Sequence, residues 1–153
     1  MSADWKAELK KLVGDADRKR EKLVSGFEKN KALAEAFLIS TVGPALSELN
    51  AELETYDRLI ITDLSTPLTA EVKILRRGEE EYRLSIKCLV TPGRFEIYLS
   101  YEFGTRDLGT VDSKLGYLLP NREQIIKEIL SLYKPASLRS ASEAWKQRQS
   151  PNR

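Results

Sequence analysis

From Asp4 to Val42 the chain has no proline, and glycine occurs there only at positions 14 and 26. Proline and glycine are the residues that break helices, so this segment is expected to be helical throughout. Its apolar residues support that reading. At 100° per residue, Trp5, Leu9, Leu12, Val13, Ala16, Leu23, Phe27, Ala34, Phe37, Leu38 and Val42 gather in one arc roughly 140° wide. The period is nearer 3.6 than 3.5, because a strict heptad through Leu9 and Leu12 would put Lys19, Gly26 and Asn30 on the seam. Ser2 is placed to cap the helix and Asp4 to meet its dipole.

Four polar residues, Lys19, Arg20, Asn30 and Lys31, interrupt the arc. Ser25-Gly26 and Asn30 are candidate break points, so the alternative to one long rod is a pair of shorter antiparallel helices. The run Arg18-Lys19-Arg20-Glu21-Lys22 alternates with Asp15 and Asp17 and reads as a solvated helix face. Gly43-Pro44 is expected to end or kink the helix, since proline suits the first position of a new one. Leu46, Leu49 and Leu53 then mark a second, shorter helix over residues 45–55.

Residues 59–103 read as antiparallel strands. Thr91-Pro92-Gly93-Arg94 is a turn, and folding the chain there pairs Val90 with Phe95, Cys88 with Ile97, Ile86 with Leu99 and Leu84 with Tyr101. One face is then apolar, while the other pairs Lys87 with Tyr98 and Ser85 with Ser100. A second hairpin is expected at Arg76-Arg77-Gly78 with a three-residue loop, setting Val72 opposite Tyr82 and Lys73 opposite Glu81. Leu59-Ile60-Ile61-Thr62 supplies a first strand. Cys88, set among Leu84, Ile86 and Val90, is expected to be an inert core thiol. Asn121 with Gln124 forms a capping box that opens a helix carrying Ile125, Ile126, Ile129, Leu130 and Tyr133.

The fold class that follows is α+β: a long N-terminal amphipathic helix, a short second helix and an antiparallel meander of three or four strands, with one face covered by a C-terminal helix. The organisation is a helical segment over 1–55, an α+β body over 56–135 and a polar tail over 136–153. Leu138 and Trp145 are the tail's only large apolar residues.

Composition narrows the chemistry. The 153 residues include no histidine and one cysteine, which excludes Ser-His-Asp and Cys-His triads, an internal disulfide and a thiolate zinc cage within this chain. Nothing supports a metal or an organic cofactor. No apolar run reaches the roughly 18 residues of a membrane span, and the N-terminus lacks a signal-peptide layout, so a cytoplasmic location is expected.

The leading expectation is a non-enzymatic protein–protein interaction or scaffold module, joined to a second copy or another protein through the N-terminal helix. A helix over 3–42 would be about 60 Å long, whereas an 80-residue body is roughly 30 Å across, so the apolar arc outruns the body that would shelter it. Trp5, Leu9, Leu12, Leu23 and Phe27 are the candidate interface residues. Two alternatives stand beside it. One is a small-ligand site or a His-free enzyme at an irregular 104–120 loop, using Arg106, Asp107, Asp112, Lys114 and Tyr117. The other is weak nucleic-acid binding through the 18–22 run and the basic tail, Lys134, Arg139, Lys146, Arg148 and Arg153 against Glu143.

Overall fold

In the computed structural model, which describes residues 2–112 and 119–133, the chain stays helical from Ser2 to Glu54. Helix α1, Ser2–Phe37, passes through one π-helical turn, Leu38–Val42, into α2, Gly43–Glu54. Gly43-Pro44 does not end the helical run, and the change from the π turn to α2 falls at Gly43. Pro44 lies in the first turn of α2, and the wider π turn before it, closed by Gly43 donating to the carbonyl of Leu38, lets the helical run pass a residue that has no N–H to give to the preceding turn. Ser25-Gly26 and Asn30 do not break the rod either.

Five strands follow: β1 Arg58–Asp63, β2 Thr69–Arg76, β3 Glu79–Val90, β4 Arg94–Tyr101 and β5 Gly104–Asp112. They form one antiparallel sheet in chain order. A last helix, α3, spans residues 122–133. The class is α+β as expected, with five strands rather than three or four. The added strand is β5, which replaces most of the expected 104–120 loop. An edge strand is held by backbone bonds to one neighbour, so Gly104–Asp112 needs little apolar alternation of its own; Val111 alone is fully buried.

The β3–β4 register agrees with the sequence reading pair for pair, from Leu84 with Tyr101 to Val90 with Phe95. Thr91 closes the turn, its N–H donating to the Arg94 carbonyl at 2.8 Å and its hydroxyl accepting from the Arg94 N–H at 3.2 Å. The β2–β3 register differs by two residues: Val72 meets Leu84, and Ile74 meets Tyr82. The loop is the two-residue Arg77-Gly78, both at positive φ (53° and 83°), a geometry whose twist suits a tight hairpin. An irregularity after Ile74 accounts for the remaining offset. Side chains alternate with period two, so a slip of two leaves Val72, Ile74, Tyr82 and Leu84 on the core face.

That face packs under all three helices. Phe37, Leu38, Val42, Ala45, Leu46, Leu49 and Leu53 come from the continuous rod, and Ile125, Ile129 and Leu132 from α3. The helical segment 1–55 is therefore divided by packing: its second half is part of the body. In α3 the buried stripe uses Leu132, while Leu130 is exposed. The capping box is present, Asn121 N–H donating to Gln124 Oε1 at 2.8 Å and Gln124 N–H to Asn121 Oδ1 at 2.9 Å. Replacing Asn121 by Ala is expected to lower stability by about 1 kcal/mol in chemical denaturation, with Asn121→Ser nearly neutral.

Two groups tie the sheet edge to the helices. Asn50 Oδ1 accepts from the Ile60 N–H at 2.8 Å. Tyr133 at the end of α3 donates to Glu81 and accepts from Arg58 Nε at 2.7 Å, while Arg58 pairs with Glu81 at 3.2 Å. Burial, reinforced by the Glu81 carboxylate, pushes the Tyr133 phenol up to about 12. The folded form thus holds that proton more tightly than the unfolded chain. This stabilisation is complete below about pH 10 and is lost as pH rises through about 12. Tyr133→Phe is expected to flatten the alkaline limb of a stability-against-pH curve.

Cys88 is buried on the core face, and burial pushes its thiol up to about 12. Only the thiolate is nucleophilic, so a disulfide reagent at pH 8 is expected to label Cys88 at the rate of unfolding, and promptly in denaturant. Prompt labelling of the native protein would contradict the packing of β3.

Candidate interaction surface on the N-terminal helix

The seat of α1 on the body is small and specific. Asn30 is 4% exposed, and its amide Nδ2 donates to the carbonyls of Thr91, at 2.9 Å, and Pro92, at 3.2 Å. Four residues earlier Gly26 passes against the same turn. A Cβ there would stand 2.5 Å from the Pro92 oxygen, so only glycine lets the helix backbone approach this closely. Asn30 and Gly26, which interrupt the apolar arc in sequence, are the contact that sets the helix on the β3–β4 turn. The signal legible in sequence was their spacing of four on the arc's own face.

Before this seat the helix stands free. Every residue from Asp4 to Lys29 is exposed except the two glycines. Trp5 is 55% exposed, Leu9 52%, Leu12 66%, Leu23 49% and Phe27 37%. Val13 and Val24 are exposed beside them. Residues 2–25 project about 36 Å beyond the seat. Leu9, Ala16, Leu23, Asn30 and Phe37 follow one another at intervals of seven, so the free apolar stripe lies on the same side of the rod as the residues that bury against the sheet. The five residues expected at an interface are all brought onto this one surface.

The stripe carries Lys19 and Arg20 in its middle. Within the 18–22 run Arg18 is paired with Asp15. The basic tail falls outside the described residues, as do Leu138 and Trp145. Contrary to the expectation that no stretch has the make-up of a membrane span, the rod Asp4–Glu54 contains one that is apolar and long enough by length and composition, because a few polar residues within it do not outweigh its apolar average; 39% of that stretch is buried. Its core half supplies Phe37, Leu38, Val42, Leu46 and Leu49 to the sheet.

Of the five residues of the alternative ligand site, the structure describes three. Lys114 and Tyr117 lie outside the described residues. Arg106 turns toward α3, where it donates to Glu128 at 2.9 Å and to Ser131 at 2.6 Å. Asp107 accepts from the Gly109 N–H at 2.9 Å within its own strand. Asp112 stands at the far end of β5, opposite Arg94. A shallow cleft of about 350 Å³ does lie between β5 and α3, lined by Asp107, Leu108, Leu119, Pro120, Ile125 and Lys127 among others. Of the three described candidate residues, Asp107 lines it. Strand pairing sets Arg106 and Asp107 side by side near the start of β5, opposite Leu99 and Tyr98, and Asp112 at its end. Among the described residues no cluster of three His, Cys, Asp or Glu side chains is placed to hold a metal ion.

Comparison with protein families, with curated proteins and with solved structures finds no match for this chain.

Proposed function

We propose that this protein is a non-enzymatic protein–protein interaction module that self-associates through the free half of α1. The observation that carries the reading is the apolar stripe of residues 5–27, exposed on a rod that projects past its own body. Soluble chains rarely leave this many large apolar side chains in water along one side of a helix, and burial of such a surface drives association. Seven large side chains, each about half exposed, offer roughly 600 Å² per protomer, or on the order of 1,200 Å² in a pair, which reaches the range of specific interfaces. Trp5 and Phe27 at its ends are the side-chain types that dominate such contacts.

Light scattering or sedimentation over a dilution series tests the reading. The expected mass is that of two chains at micromolar protein, falling toward one chain on dilution. A mass of one chain at all concentrations would sink self-association.

A further inference from the structure

We infer that the two copies associate antiparallel, each helix filling the free stretch of the other and stopping at the partner's β3–β4 turn. This rests on the self-association proposed above and adds its geometry. The first argument is steric. The body of each chain lies on the stripe side of its own rod, beginning where Gly26 touches Pro92. In a parallel pair packed stripe to stripe, each body would occupy the space of the other. In an antiparallel pair, each N-terminus runs toward the partner's seat and ends there. The longest overlap that avoids the turn sets residue 2 of one helix opposite residue 25 of the other, so opposed residue numbers sum to about 27.

The second argument comes from charge and is independent of the first. At a sum of about 27 to 28, Trp5 falls opposite Leu23 of the partner subunit and Leu12 opposite Ala16 of the partner subunit, closing the apolar seam. Glu8 falls opposite Lys19 of the partner subunit, on the same flank of the seam, and two-fold symmetry repeats the pair. A parallel pair would instead set Lys19 and Arg20 against their own copies in mid-seam, where like charges repel. The register that sterics permits is thus the one that gives the seam cation an acidic neighbour.

Spin labels on Lys6→Cys and Glu28→Cys, each measured between copies, read the orientation; the buried Cys88 does not compete for the label. In the antiparallel pair the label separation at position 28 exceeds that at position 6 by about 20 Å. Equal, short separations at both positions would overturn the antiparallel arrangement while leaving the dimer standing. A one-chain mass with no inter-copy separation would remove the self-association itself. Charge exchange gives a second readout on exposed positions that do not touch the fold. Glu8→Lys is expected to weaken the dimer about tenfold, and Lys19→Glu added to it to restore most of that loss. Equal weakening by the single and the double variant would overturn the register.

Discussion

Replacing Leu9 and Leu12 together by Glu is expected to convert the proposed dimer to a monomer without lowering the stability of the folded body. Both side chains are more than half exposed in the single chain, so the substitution removes nothing from the core and leaves the seat at Gly26 and Asn30 intact. In the dimer each lost leucine counts twice by symmetry, and each new carboxylate must either stay hydrated or be buried unpaired. Four apolar side chains at about 1 kcal/mol or more each, a conservative share of the burial energy of Leu, weaken association by about a thousandfold. Light scattering gives the mass, and chemical denaturation at a concentration where both proteins are monomeric gives the stability. A double variant that remains dimeric would show that the stripe is not the interface. A variant that loses body stability would show that the stripe is sheltered within one chain.

The second large effect is a reversal of sign between two glycines of the same helix. Gly14→Ala is expected to stabilise the protein by about 0.5–1 kcal/mol, because alanine is the better helix former and a Cβ at position 14 meets only the mobile end of Arg18, at 3.5 Å. Gly26→Ala gains the same propensity but drives its methyl to 2.5 Å from the Pro92 oxygen, a backbone atom on a tight turn. The helix or the turn must shift, at a net cost of about 2 kcal/mol. Asn30→Leu is expected to cost a similar amount, since the carbonyls of Thr91 and Pro92 lose their donor in a half-buried place. The two changes act on one contact, so their combination should cost less than the sum of the singles. Denaturation midpoints of the four variants check this pattern. A stabilising Gly26→Ala would mean that α1 does not rest on the β3–β4 turn as described.

The legibility of this fold varied with how local each signal is. The Thr91–Arg94 hairpin is specified by adjacent residues: proline and glycine set the turn, and alternation over Leu84–Val90 and Phe95–Tyr101 admits one register. Sequence marks the bend at Gly78 and the core face of the second hairpin but reads one loop residue too many and a register two steps out, because a glycine at a turn marks the bend without stating how many residues close it. Strand β5 was hidden because its hold on β4 is made by backbone groups that every residue carries. Its irregularity beside Ile97 and its glycines at φ near 146–149° look in sequence like a loop. For the proposed surface, Trp5, Leu9, Leu12, Leu23 and Phe27 are legible from periodicity alone, whereas the placement of Arg106, Asp107 and Asp112 depends on strand pairing that periodicity does not register.

Sequence alone determined that about the first third of the chain is helical with one apolar side and that a two-faced sheet follows, while the choice between one rod and a helical hairpin fell to the tertiary structure. Periods of 3.6 and 2 are properties of neighbouring residues and need no knowledge of what packs on them. The tertiary structure decided where along the rod burial begins. That boundary rests on a glycine that clears one carbonyl and an asparagine that binds two, both on a turn some sixty residues away. In sequence both read as defects in an apolar stripe, because the partner that makes them favourable comes near only when the sheet has folded.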